Sequence, residues 1–187
     1  MKRLTLLACI ILSVFMLNSC GKENEKPLSE EKNNSEFNWK SELKITEIPD
    51  LPIKGLLNGK PFTFAYVNFE QWRGSGDNVI NFSEAAPSNN CGYVEGGRSI
   101  HFLHKAGAID TGEVLKASFD QNIDGFIAYY DTTGAGSEAG VGSIPWNCAL
   151  VISSMNEKTI KGKIVICFKD EKKSYIAGSF EAIRCYN

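Results

Sequence analysis

The chain has 187 residues, 20 of them basic and 22 acidic, with 43% hydrophobic residues. A net charge of −2 with no basic patch or basic helix excludes nucleic acid as a natural partner. The length suffices for one domain with a real core.

Met1-Lys2-Arg3 is a short positive stretch, and an apolar run follows from Leu4 to Leu17. Such a run is shorter than the about 20 residues a spanning helix needs, and the positive-then-apolar order is that of a secretory signal. It ends in Leu17-Asn18-Ser19-Cys20-Gly21. This resembles the lipobox of bacterial lipoproteins, with an aliphatic residue, two small residues and then the acylated cysteine; Asn18 departs from the usual small apolar choice. The resemblance implies a signal peptide over 1–19, cleavage before Cys20, and a lipid bilayer as partner through acylated Cys20. Each buried methylene of such an anchor contributes about 0.8 kcal/mol. Without Lys2 and Arg3 the basic residues number 18 against 22 acids, a balance of −4.

Residues 20–45 are rich in charge and poor in apolar side chains, so a flexible tether is expected there. Lys22-Glu23, with Asn24 before Glu25, resembles the export signal of surface lipoproteins in the Bacteroidota. The expected location is the outer membrane, lipid-anchored, facing the periplasm or the cell surface.

Residues 46–187 read as a single all-β domain. Apolar residues alternate: Phe62, Phe64 and Tyr66 form one set, Ile100 and Phe102 another, and Ile160, Ile164, Ile166 and Phe168 a third. That two-residue period belongs to half-buried strands. Asn58-Gly59 is a strong hairpin signal. Strands are predicted over about 53–57, 61–69, 78–83, 99–104, 113–119, 125–130, 146–153, 158–168 and 174–184. The architecture expected is an antiparallel β-sandwich or flattened barrel of about 8–10 strands. Residues 132–145 read as a long loop. Glycines at 55, 162 and 178 lie inside predicted strands, which marks bends or close approaches.

Cys91, Cys148, Cys167 and Cys185 make an even count in an exported chain, which predicts two disulfides. There is no CxxC spacing to suggest zinc. A short turn around Asn156-Glu157 places Cys148 opposite or diagonal to Cys167, so the expected pairs are Cys148–Cys167 and Cys91–Cys185.

The ending Ile160-Lys161-Gly162-Lys163-Ile164, then Ile176-Ala177-Gly178-Ser179-Phe180-Glu181-Ala182 and Cys185, resembles a recurrent ending of lipid-anchored, poorly characterised all-β proteins of the Bacteroidota. Leu57-Asn58-Gly59-Lys60, the cysteine after Asn89-Asn90 and Thr111-Gly112-Glu113-Val114 are similar to that group as well. The resemblance implies an all-β fold and a cell-surface setting, and no activity.

Four motifs bear on chemistry. Asp120, Asn122, Asp124 and Gly125, with Asp131 twelfth, follow the spacing of an EF-hand calcium loop. The flanking residues read as strands rather than helices, and an Asx-rich turn explains the same residues. His101 and His104 differ by three positions, which sends them to opposite faces of a strand. Asp110-Thr111-Gly112 has no second copy to supply an aspartic protease's carboxylate pair. Gly134–Gly140 lacks the lysine and spacing of a phosphate loop. Trp72, Trp146, Tyr129 and Tyr130 could stack on a sugar or fill a core.

The sequence thus predicts a membrane-anchored, non-catalytic binding, adhesion or accessory module with a protein or glycan ligand and no catalytic residues. One alternative is a calcium-dependent module using Asp120, Asn122, Asp124 and Asp131. Another is a hydrolase, which requires a histidine or carboxylates converging at one place.

Overall fold

A computed structural model describes residues 37–91, 94, 96–133 and 144–185. Cys20, the signal over 1–19, most of the expected tether and the Gly134–Gly140 stretch lie outside them. Ten strands are present among the described residues: β1 (Lys54–Leu57), β2 (Lys60–Phe62), β3 (Tyr66–Gln71), β4 (Asn78–Ser83), β5 (Ser99–His104), β6 (Gly112–Lys116), β7 (Phe126–Asp131), β8 (Trp146–Met155), β9 (Thr159–Phe168) and β10 (Tyr175–Cys185). They form one sheet in the order β6-β8-β9-β10-β3-β4-β5-β7, curled into a half-barrel. The all-β expectation holds.

The curl begins at β10. Its first residues pair antiparallel with β1, through Lys54 opposite Ala177, while its last pair parallel with β3, through Ile183 opposite Asn68. One predicted strand, 61–69, is therefore two. β2 closes the Asn58-Gly59 hairpin against β1, whose turn residues take φ of 51° and 74°, and β3 leaves to join the far end of β10. Gly178 sits where these partners diverge. Its φ of 137° and the approach of Leu51 and Ile53 leave no room for a side chain, since a Cβ there would lie 2.6 Å from the Leu51 carbonyl oxygen.

The concave face carries the main core, including Phe69, Phe82, Phe102, Leu150, Ile164, Phe168 and Phe180. The convex face of β8–β10 is covered by the chain ahead of β1. Phe37, Leu43 and Ile48 pack with Ala149, Val165, Cys167 and Ala177. Trp39 donates its indole N–H to the Phe168 carbonyl at 2.8 Å, and the Tyr175 hydroxyl donates to the Phe37 carbonyl at 3.0 Å. The compact unit thus reaches upstream of the boundary expected at residue 46, because scattered apolar residues there find a sheet face to cover.

Among the described residues one disulfide is formed, Cys91–Cys185, as expected. The second expected pair is not: Cys148 and Cys167 are both free and buried. Near the turn the β8–β9 hairpin pairs Met155 with Ile160 and Ser154 with Lys161, but a bulge between Ile152 and Ser154 shifts the ladder by one. Cys148 therefore faces Ile166, and Cys167 faces Asn147. A one-residue slip turns side chains to the other face of the sheet. Cys148 enters the main core, and Cys167 lies under the N-terminal strap.

Candidate functional site

The convex face of β3, β4, β5 and β7 gathers polar side chains. Register sets them in rows. Asn68, Asn81, His101 and Tyr129 lie directly opposite one another across the four strands, and Tyr66, Ser83, Ser99 and Asp131 form the next row. Alternation explains the placement. The same strands turn Phe69, Ile80, Phe82, Ile100, Phe102 and Ala128 into the core, so the residues between them face outward.

These side chains are bonded into a network. Asn81 Nδ2 donates to Asn68 Oδ1 and to Glu70 Oε1, both at 2.8 Å. The Trp72 indole N–H reaches the same Glu70 oxygen at 3.0 Å. His101 Nδ1 lies 2.6 Å from Asn81 Oδ1, and His101 Nε2 lies 2.8 Å from Ser99 Oγ. The proton positions follow from the far end. A carboxylate oxygen only accepts, so the Asn81 group facing Glu70 is the NH₂. Asn81 Oδ1 must then face His101, Nδ1 must carry the imidazole proton, and Nε2 is left with a lone pair for the Ser99 hydroxyl.

Asn68, Asn81, Ser83 and Asp131 are buried, while Glu70, Ser99, His101 and Tyr129 are half-buried. The His101 ring stacks on Tyr129 with centroids 4.7 Å apart. Burial pushes the His101 pKa down to about 4, against an opposing pull from the charge of Asp131. The imidazole is therefore neutral at pH 7. The disulfide borders the face: the Tyr66 hydroxyl donates to the Asn90 carbonyl and lies 3.7 Å from Cys185 Sγ.

The expected calcium ligands are not brought together. Asp120, Asn122 and Asp124 are exposed in the β6–β7 connection, whereas Asp131 is buried at the far end of β7. A six-residue strand spans about 20 Å, whereas a calcium loop must fold its twelfth residue back onto its first. Asp131 instead accepts from the Thr133 backbone N–H at 2.7 Å and from its hydroxyl at 2.6 Å. Among the described residues no three of His, Cys, Asp and Glu form a set able to hold a metal.

His101 and His104 do point to opposite faces. His104 stacks on Phe126 at 4.1 Å beside the core. Of the aromatic candidates, Trp146 is core and covers the ammonium group of buried Lys116, and Tyr130 packs edge-on against Phe168. Tyr129 alone of the four stacks within the polar rows, while Trp72 bonds to their margin at Glu70. Asn81, Ser99 and Glu70 went unnoticed in the sequence, because their link is lateral pairing across β3, β4 and β5, with Glu70 and Ser99 29 residues apart in the chain; alternation of polar residues within 78–83 and 99–104 was the available signal. No protein family, curated protein or solved structure matches the chain.

Proposed function

We propose that the chain is an outer-membrane lipoprotein, held through acylated Cys20, whose β-domain is a binding module that recognises a neutral, hydroxyl-rich ligand such as a glycan. The observation that carries the binding reading is the Asn68–Asn81–His101–Tyr129 row. The row locks two amides and an imidazole into one fixed donor and acceptor pattern, buried at Asn68 and Asn81 and half-buried at His101 and Tyr129; buried polar groups are costly unless fully bonded. A preset pattern beside an aromatic ring suits a ligand with many hydroxyls and apolar ring faces. Ser99 keeps acceptor capacity beyond its bond to His101.

The neutral His101 favours binding over charge-driven recognition. The anchoring half of the proposal rests on the N-terminal residues, and the Cys91–Cys185 disulfide supports export, since disulfides persist in oxidising compartments.

Isothermal calorimetry of the chain against a panel of neutral oligosaccharides tests the binding half. The expected result is a glycan whose affinity drops at least tenfold in Tyr129→Ala and Asn81→Ala. Failure of every glycan to bind the folded protein would sink the ligand class. Incorporation of radiolabelled palmitate, lost in Cys20→Ala, tests the anchor.

A further inference from the structure

One hydroxyl on the polar face has surroundings suited to chemistry as well as binding. Ser99 meets the unprotonated nitrogen of His101 at 2.8 Å, and the protonated nitrogen is held at 2.6 Å by Asn81. Asn81 cannot turn over to present its NH₂ to the ring, because that would lose both its bonds to Asn68 and Glu70. Nucleophile, base and orienting group are therefore in hydrogen-bond sequence, the arrangement that activates a hydroxyl on unrelated folds.

We propose that Ser99 is an acyl-accepting nucleophile, with His101 as its base and Asn81 as the residue positioning that base, and that its substrates are activated carboxylic esters. This goes beyond the binding reading and stands without it. The Ser99 oxygen forms a bond to the ester carbonyl carbon while its proton passes to His101 Nε2. As the tetrahedral adduct collapses, the carbon–oxygen bond to the leaving group breaks and that oxygen takes the proton back from Nε2, leaving an acyl-serine and an alcohol. Water then adds to the acyl carbon, gives its proton to Nε2, and the acid departs as Ser99 is reprotonated. Asp131, directly opposite Ser99 across β5 and β7, supplies the charge that favours the transient imidazolium.

Two features set the substrate class. A base with a pKa of about 4 takes the proton reluctantly. β5 is also flanked by β4 and β7, so its backbone N–H groups are committed to the ladder rather than aimed at a developing oxyanion. Oxyanion donors contribute about 10²–10³ in rate elsewhere. The site therefore requires an acyl group whose leaving group departs readily, such as a nitrophenyl ester, and acts slowly.

The test is labelling of the full chain with a fluorophosphonate, which forms an oxygen–phosphorus bond with loss of fluoride, followed by peptide mass spectrometry. The expected result is one adduct, on Ser99, abolished in Ser99→Ala and reduced at least tenfold in His101→Gln. Ser154 is the internal control, since it is more exposed than Ser99 and lies opposite Lys161 rather than beside an imidazole. Labelling spread equally over Ser154 and other exposed serines, or absent from a protein with an intact melting transition, overturns the proposal. Labelling of Ser99 that persists undiminished in His101→Gln overturns the role of the base. The control comparison within the unsubstituted chain remains decisive where a variant fails to fold.

Discussion

Cys148 and Cys167 sit on neighbouring strands one position out of register, on opposite faces of the sheet. The bulge near Ser153 causes this, since the register close to the hairpin turn, carried through unshifted, would set them face to face. Burial pushes the Cys148 thiol well up and the Cys167 thiol to about 12. Alkylation without reductant should therefore modify neither at pH 8 in the native protein and both after unfolding. Cys91 and Cys185 should react only after reduction. Peptide mapping reads all four; a Cys148–Cys167 peptide would contradict the register.

His101 should make stability depend on pH. Its folded pKa of about 4 lies below the ordinary 6.5, so the unfolded chain binds more protons between those values. Stability rises with pH across that window and is lost as pH falls from 6.5 toward 4, by up to about 3 kcal/mol. Urea unfolding at pH 7 and pH 5 should show the loss, and His101→Gln should flatten it. An unchanged slope in the variant would place the dependence elsewhere.

Lys116 is a buried clip. Its ammonium donates to the carbonyls of Ser118, Phe119 and Trp146 at 2.9, 2.9 and 2.6 Å, under the Trp146 ring. Lys116→Met keeps much of the volume but leaves three carbonyls without their donor. The expected loss is about 3 kcal/mol in chemical denaturation. A loss below about 1 kcal/mol would mean that water replaces the ammonium.

The strap of residues 37–48 should behave as part of the domain. A protein starting at residue 46 exposes Ala149, Val165 and Ala177 by losing Phe37 and Leu43. Each such side chain contributes about 1.5–3 kcal/mol when buried. The truncated form should melt well below one starting at residue 34, by differential scanning calorimetry. Equal melting temperatures would return the strap to the tether.

The strands were legible because alternation is local. Each run of apolar and polar residues carries its own two-residue period, and Asn58-Gly59 carries its own turn geometry. The Cys91–Cys185 pair was also reachable, since Tyr175 opposite Cys167 leaves Cys185 far along β10 and free for another partner. What lay beyond the sequence depends on single-residue register and on strands distant in the chain. The bulge near Ser153 separates the cysteines expected to join, and β10 changes partner from β1 to β3. Lateral pairing of β3, β4, β5 and β7 assembles Glu70, Asn81, Ser99 and His101 from segments whose local pattern says only that each faces outward. Sequence periodicity determined which face each residue occupies; only the tertiary pairing decided which residues share it as neighbours, because backbone ladders carry no side-chain code for their partner.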